Sequence, residues 1–152
     1  MHSINDTNKK YVVSYLKDIL NNETFLLTKK SIHHGKVTTY EHCINVAVVS
    51  LKINNFFYLN SKVDVLLKSA ILHDFILYDW HGKDCPKLHG FTHAKVASNN
   101  AKKYFNINND IAKVIESHMW PLNITKIPTT REAIIVCIAD KYCALIETLF
   151  MR

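Results

Sequence analysis

Glycine and proline are scarce in this chain, with three of each among 152 residues. So few turn formers, set against long periodic stretches, argue against a turn-rich fold and for an α-helical one. No apolar run approaches the length of a membrane span, so no membrane partner is expected. The N-terminus, MHSINDTNKK, lacks the apolar stretch of a signal peptide, and a cytoplasmic protein is expected. The four cysteines, Cys43, Cys85, Cys137 and Cys143, form no C-x-x-C pair. They read as reduced thiols in a reducing compartment rather than as a zinc site. Acidic residues are outnumbered, 13 against 19 Lys and Arg, giving a net charge of +6. No Lys/Arg run of the kind that makes a nucleic-acid arm is present, which argues against a nucleic-acid partner. The excess is read as compositional, since the chain is rich in Ile, Asn and Lys; the alternative is an anionic partner.

What is present is an apolar, moderately charged chain: 48% hydrophobic and 21% charged residues, the balance of a globular protein. The length suits one compact core, and no repeat or low-complexity linker divides it, so residues 1–152 are expected to form a single domain. A first helix is expected from about Asn8 to Leu20, then a short helical piece and a polar stretch from Lys29 to Thr38. Thr38 and Glu41 have the spacing of a capping box and open a helix to about Phe57. A third helix opens at Ser61–Asp64 and ends near His73-Asp74. Phe75 to Phe91, with Gly82, Pro86 and Gly90, reads as a long loop. Thr92 is expected to cap a helix from His93 to about Phe105, which would put the N–H groups of that first turn beside His93. Another helix runs from Asn109 to His118. A second loop bounded by Pro121 and Pro128 leads to a second capping box, Thr129 to Glu132, and a last helix to about Leu149. The sum is an all-α, single-domain bundle of five to six core helices.

Against this apolar background stand His42, the pair His73-Asp74, His93, His118 and Asp140. At 100° per residue His42 shares the face of Val46, Val49, Ile53 and Phe56. His118 ends the stripe of Ile111, Val114 and Ile115. On the last helix, Ile135, Ile138, Tyr142, Leu145 and Leu149 line one face, and Ala133, Val136, Cys137, Asp140 and Ala144 the other. A helix apolar on both sides is expected to be buried all round. Asp140 is then a carboxylate among small apolar neighbours, and leaving it unpaired would be costly. A single inward histidine is more often a hydrogen-bonded core residue, so the argument rests on the combination. Imidazole and carboxylate donors without thiolate suit Mn²⁺, Fe²⁺, Zn²⁺ or Mg²⁺. Six such donors exceed a closed tetrahedral zinc site and suit two ions sharing a carboxylate, with positions left for water.

The segments TYEHCINVA, AILHDF, THAKVA, IESHMWP and IADKY resemble the HD-domain phosphohydrolase superfamily, over about Thr38 to Glu147. The arrangement is similar to that of small bacterial members with two metals. The motif-bearing core is placed at about residues 38–149. The resemblance implies that His42, His73, Asp74 and Asp140 are core ligands, that Asp74 bridges and is catalytic, and that His93 and His118 complete a second position. It implies two divalent ions, among Mn, Fe, Mg, Zn or Ni. It also implies a hydrolase of phosphoric esters or acid anhydrides, acting by a metal-activated hydroxide on a phosphorylated small molecule such as a nucleotide or dinucleotide. The alternative is a non-catalytic metal- and nucleotide-binding module. Many relatives carry a lysine after the doublet, whereas this chain reads Phe75-Ile76-Leu77-Tyr78. Phosphate contact is therefore expected from loop and helix residues: His89, Lys141 and Arg131, with Lys83 and Lys87 beside them. His33, His34, His81 and Asp79 are weaker candidates.

Overall fold

A computed structural model describes residues 2–78 and 89–150, with side chains described for 7–33, 35–78 and 90–150. The fold is all-α. Six helices of nine residues or more carry it: α1 (His2–Tyr15), α4 (Thr39–Phe56), α5 (Val63–Leu72), α6 (His89–Phe105), α7 (Asn109–Ser117) and α8 (Arg131–Phe150). Two single-turn helices, α2 (Lys17–Leu20) and α3 (Glu23–Leu26), follow α1, so the expected first helix is interrupted at Leu16. No helix among the described residues is long and apolar enough to cross a membrane.

Local chemistry sets the ends of these elements. Thr38 caps α4 as expected: its N–H donates to Glu41 Oε2 at 2.9 Å and its Oγ1 accepts from the Glu41 N–H at 3.2 Å. Asn108 caps α7 by accepting from the Ile111 N–H at 3.0 Å. The second expected capping box does not form. Thr130 Oγ1 accepts from the Ala133 N–H, but Glu132 turns away and accepts from the Lys62 N–H at 2.8 Å, tying the start of α8 to the start of α5.

Three expectations are corrected. First, α6 opens at His89, not at His93, so Thr92 lies inside the first turn and His93 begins the second. Second, the polar stretch 29–38 is structured: a 3₁₀ turn, Leu27–Lys30, leads into an antiparallel hairpin of β1 (Ile32–His34) and β2 (Val37–Thr38). Gly35 makes the tight return with φ 58°, a left-handed conformation that favours glycine. Third, α8 is buried on one face only. Ala133, Val136, Cys137, Ala139, Asp140 and Cys143 are covered, while Ile138, Tyr142, Leu145 and Leu149 are more than half exposed. The loop positions Asp79, His81, Lys83, Cys85 and Lys87, and the side chains of His34 and His89, lie outside the described residues.

Helix α4 is the centre of the bundle and packs on α1, α5 and α8; α7 bridges α5, α6 and α8. Phe25 and Phe75, both fully buried, lie 5.7 Å apart and pack with Phe105 and Tyr40 into an aromatic core. Phe75 directly follows the His73-Asp74 pair, so this core anchors the turn that presents them.

A buried histidine and aspartate cluster as candidate metal centre

All six residues singled out in the sequence are buried and converge on one another. They come from five places in the fold. His42 points inward from the first turns of α4. His73 and Asp74 leave the C-terminal end of α5. His93 comes from α6, His118 from the C-terminal end of α7, and Asp140 from the middle of α8.

Helix termini set two of the rings. The last carbonyls of a helix have no partner within it. His73 Nδ1–H donates to the Ala70 carbonyl at 2.8 Å, and His118 Nδ1–H donates to the Ile115 carbonyl at 2.7 Å. Each bond fixes the ring and leaves Nε2 as the inward-facing atom. His42 is fixed differently. Its Nδ1 lies 2.7 Å from Glu147 Oε2, a buried carboxylate two turns beyond Asp140, whose other oxygen accepts from Asn45 Nδ2 at 2.8 Å. A carboxylate behind an imidazole both orients the ring and strengthens its outer nitrogen as a donor to a cation.

Asp74 sits between two groups of these donors, and its oxygens divide between them. Oδ2 lies 3.2 Å from His73 Nε2 and 4.0 Å from His42 Nε2. Oδ1 lies 3.2 Å from His93 Nε2 and 3.5 Å from His118 Nε2. Asp140 Oδ1 belongs with the first set, 3.2 Å from His42 Nε2 and 3.5 Å from His73 Nε2. Within His42, His73, Asp74 and Asp140, and again within Asp74, His93 and His118, the donor atoms lie within 4.8 Å of one another.

The donors aim at common points more than at each other. Buried and polar, His73 Nε2 and Asp74 Oδ1 have no hydrogen-bond partner among the described residues, a costly state for such atoms unless a cation meets them. His93 Nε2 and His118 Nε2 face each other at 3.1 Å; with the His118 proton on Nδ1, a proton on His93 Nε2 bridges the pair, in the place where a cation would meet both rings. This donor set fits a divalent cation, with Asp74 common to both groups.

The electrostatics of the cluster without an ion point the same way. Burial would raise the Asp74 and Asp140 carboxyls, but the surrounding imidazoles hold both well below the usual carboxylate range. Burial pushes His73 down, yet Asp74 and Asp140 outweigh it and hold the ring well above an ordinary imidazole. His42 is likewise raised by Asp140 and Glu147 against its burial. His118 and His33 are lowered, because burial there exceeds the pull of Asp74. Protons thus occupy part of the cluster, where a cation would balance the same carboxylates.

A cavity of about 580 Å³ opens onto this floor. His33, Asp74, His93, His118 and Asp140 form its polar end, and Met119, Pro121, Leu122 and Ala144 its apolar walls. Gly90, in the first turn of α6, closes against Leu122, where an added Cβ would come within 3.3 Å of Leu122 Cδ2. Lys141 also lines the cavity; its Nζ donates to the His118 carbonyl at 2.8 Å and lies 3.7 Å from Asp140 Oδ2. Arg131, the other cation singled out, is not among the lining residues and donates from Nη1 to the Leu59 carbonyl at 2.8 Å.

One residue of the site escaped sequence reasoning and another was only a weaker candidate. Glu147 was not singled out, although its position seven residues after Asp140, on the same face of a helix, could have marked it. His33 was ranked low, and the hairpin carries it to 3.1 Å from Asp74 Oδ2.

The HD domain family model matches residues 39–145, more than half of the chain. No curated protein and no solved structure matches it.

Proposed function

The chain belongs to the HD domain family, and from that premise we propose that it is a metal-dependent phosphohydrolase acting on a phosphate ester of a nucleotide, with residues 1–152 forming one helical domain. The observation that carries this reading is the division of the Asp74 carboxylate between two donor groups. His42, His73, Asp74 and Asp140 would hold one divalent ion, and Asp74, His93 and His118 a second. Bound divalent ions supply Lewis acidity to a water and to the phosphoryl oxygens.

The chain's own residues provide the rest. Asp74 keeps the two positions in register. The ring anchors at Ala70, Ile115 and Glu147 hold the imidazoles without solvent. Lys141 is the cation on the cavity wall able to meet a phosphate oxygen. Met119, Pro121 and Leu122 offer apolar surface to a planar group such as a base, the usual division of labour in a small-molecule pocket.

The test is a nucleotide panel, from mono- to triphosphates and dinucleotides, with Mn²⁺, Fe²⁺, Mg²⁺, Zn²⁺ and Ni²⁺ supplied one at a time. Turnover with at least one ion, lost on chelation, is expected. Metal-dependent nucleotide binding with no turnover would instead establish a non-catalytic module.

The proton inventory gives a second expected result. Asp140 and Glu147 hold His42, and Asp74 and Asp140 hold His73, above the ordinary imidazole range in the ion-free site, so each ring keeps its proton to higher pH than a free imidazole, and an arriving cation displaces it. Apparent affinity for Mn²⁺ therefore falls as pH is lowered. On raising pH it continues to climb beyond about 6.5, where an ordinary imidazole would level off. Titration calorimetry in two buffers of different protonation enthalpy measures the released protons. Mn²⁺ uptake without proton release near neutral pH would contradict this account.

A further inference from the structure

The β1–β2 hairpin is the element that the helical pattern did not foretell, and it carries a side chain into the cluster. His33 is buried against the site, with Nε2 3.1 Å from Asp74 Oδ2 and its ring stacked on His42 at 4.2 Å between centroids. It also lines the cavity, beside Asp74, His93, His118 and Asp140. We propose that His33 is the positioning residue of Asp74: its Nε2–H donates to Oδ2 and holds the shared carboxylate in the orientation that serves both donor groups.

Among the described residues, elimination leaves His33 as the imidazole partner of Asp74 that stands outside both donor groups. Its carboxylate is surrounded by imidazoles: His33, His42, His73, His93 and His118. Three of them have Nδ1 engaged elsewhere, His42 at Glu147, His73 at Ala70 and His118 at Ile115. With a cation present, the Nε2 atoms of those rings turn their lone pairs to it and have no proton for Asp74. His93 Nε2 belongs to the second donor group and is committed in the same way. His33 belongs to neither group. It remains as the imidazole able to donate to the carboxylate when the others do not. A carboxylate that bridges is also a carboxylate that can swing to one side, and a hydrogen bond to one oxygen opposes that swing.

The inference rests on the metal-site reading, and the experiment separates the two. Mn²⁺ binding is measured by titration calorimetry on wild type, His33→Ala and His33→Gln, with far-UV circular dichroism as the check on folding. Turnover of whichever nucleotide the wild type accepts is measured alongside. His33→Ala is expected to weaken Mn²⁺ binding roughly 10- to 100-fold and to lower kcat more than it raises KM. His33→Gln keeps an N–H donor at similar reach without an imidazole, and is expected to recover most of the loss. Unchanged Mn²⁺ affinity in a folded His33→Ala protein would overturn the assignment. So would a folded His33→Gln protein no better than His33→Ala, since donation would then not be what matters. A wild-type protein that takes up no Mn²⁺ would remove the metal reading itself, and this inference with it.

Discussion

Asp74→Ala lowers turnover at least about a thousandfold, equivalent to about 4 kcal/mol of barrier, while the helical content stays that of the wild type. Both donor groups include this carboxylate, and no other described residue belongs to both. Its removal therefore weakens two positions with one change, whereas His93→Ala or His118→Ala touches one. The fold is spared because the close partners of the Asp74 carboxylate are imidazoles rather than apolar core. Steady-state kinetics in metal-supplemented buffer, paired with circular dichroism, checks both halves. Turnover near the wild-type rate would remove Asp74 from the mechanism.

Phe75→Ala destabilises the protein by about 3–5 kcal/mol, the range for deleting a buried aromatic ring. Phe75 is fully buried and packs on Phe25, Tyr104 and Phe105 at ring separations of 5.3–5.9 Å. Its backbone N–H donates to the Leu72 carbonyl at 3.1 Å, and its carbonyl accepts from Asn100 Nδ2 at 3.0 Å. The same residue that fills the core thus fastens the turn bearing His73 and Asp74. Urea denaturation of the metal-free variant reads the loss of stability. A change below about 1 kcal/mol would mean that the aromatic core collapses onto the vacancy without strain.

The position after the His-Asp doublet shows how far sequence reading goes. Phe75, directly after the doublet, is used for packing. His42, His118 and Asp140 were legible because each sits on an apolar helical face, and a face tells which way a side chain points; His93 was legible through the motif that contains it. His33 was not legible, because a two-residue hairpin turn in a polar stretch has no such periodicity. The start of α6 was misplaced because Thr92 before His93 has the form of a cap and Gly90 that of a breaker. In the structure Gly90 is helical and provides the close approach to Leu122. The Asp140 face of α8 was identified correctly, while Ile135, assigned to the other face, is buried; periodicity cannot say which faces find a neighbour. The bundle covers the Asp140 side and leaves Ile138, Tyr142, Leu145 and Leu149 outside.

The backbone carbonyls at the ends of α5 and α7 have a consequence for how fast an ion can be accepted. Ala70 and Ile115 grip His73 and His118 before any ion arrives, and Glu147 does the same for His42. Uptake of an ion would then exchange protons, with none of these three imidazoles having to leave its rotamer. Little conformational entropy remains to be lost at the moment of capture. A site of this kind is prepaid by folding: the rigidity of two helix termini, rather than the identity of the ligands, sets its readiness.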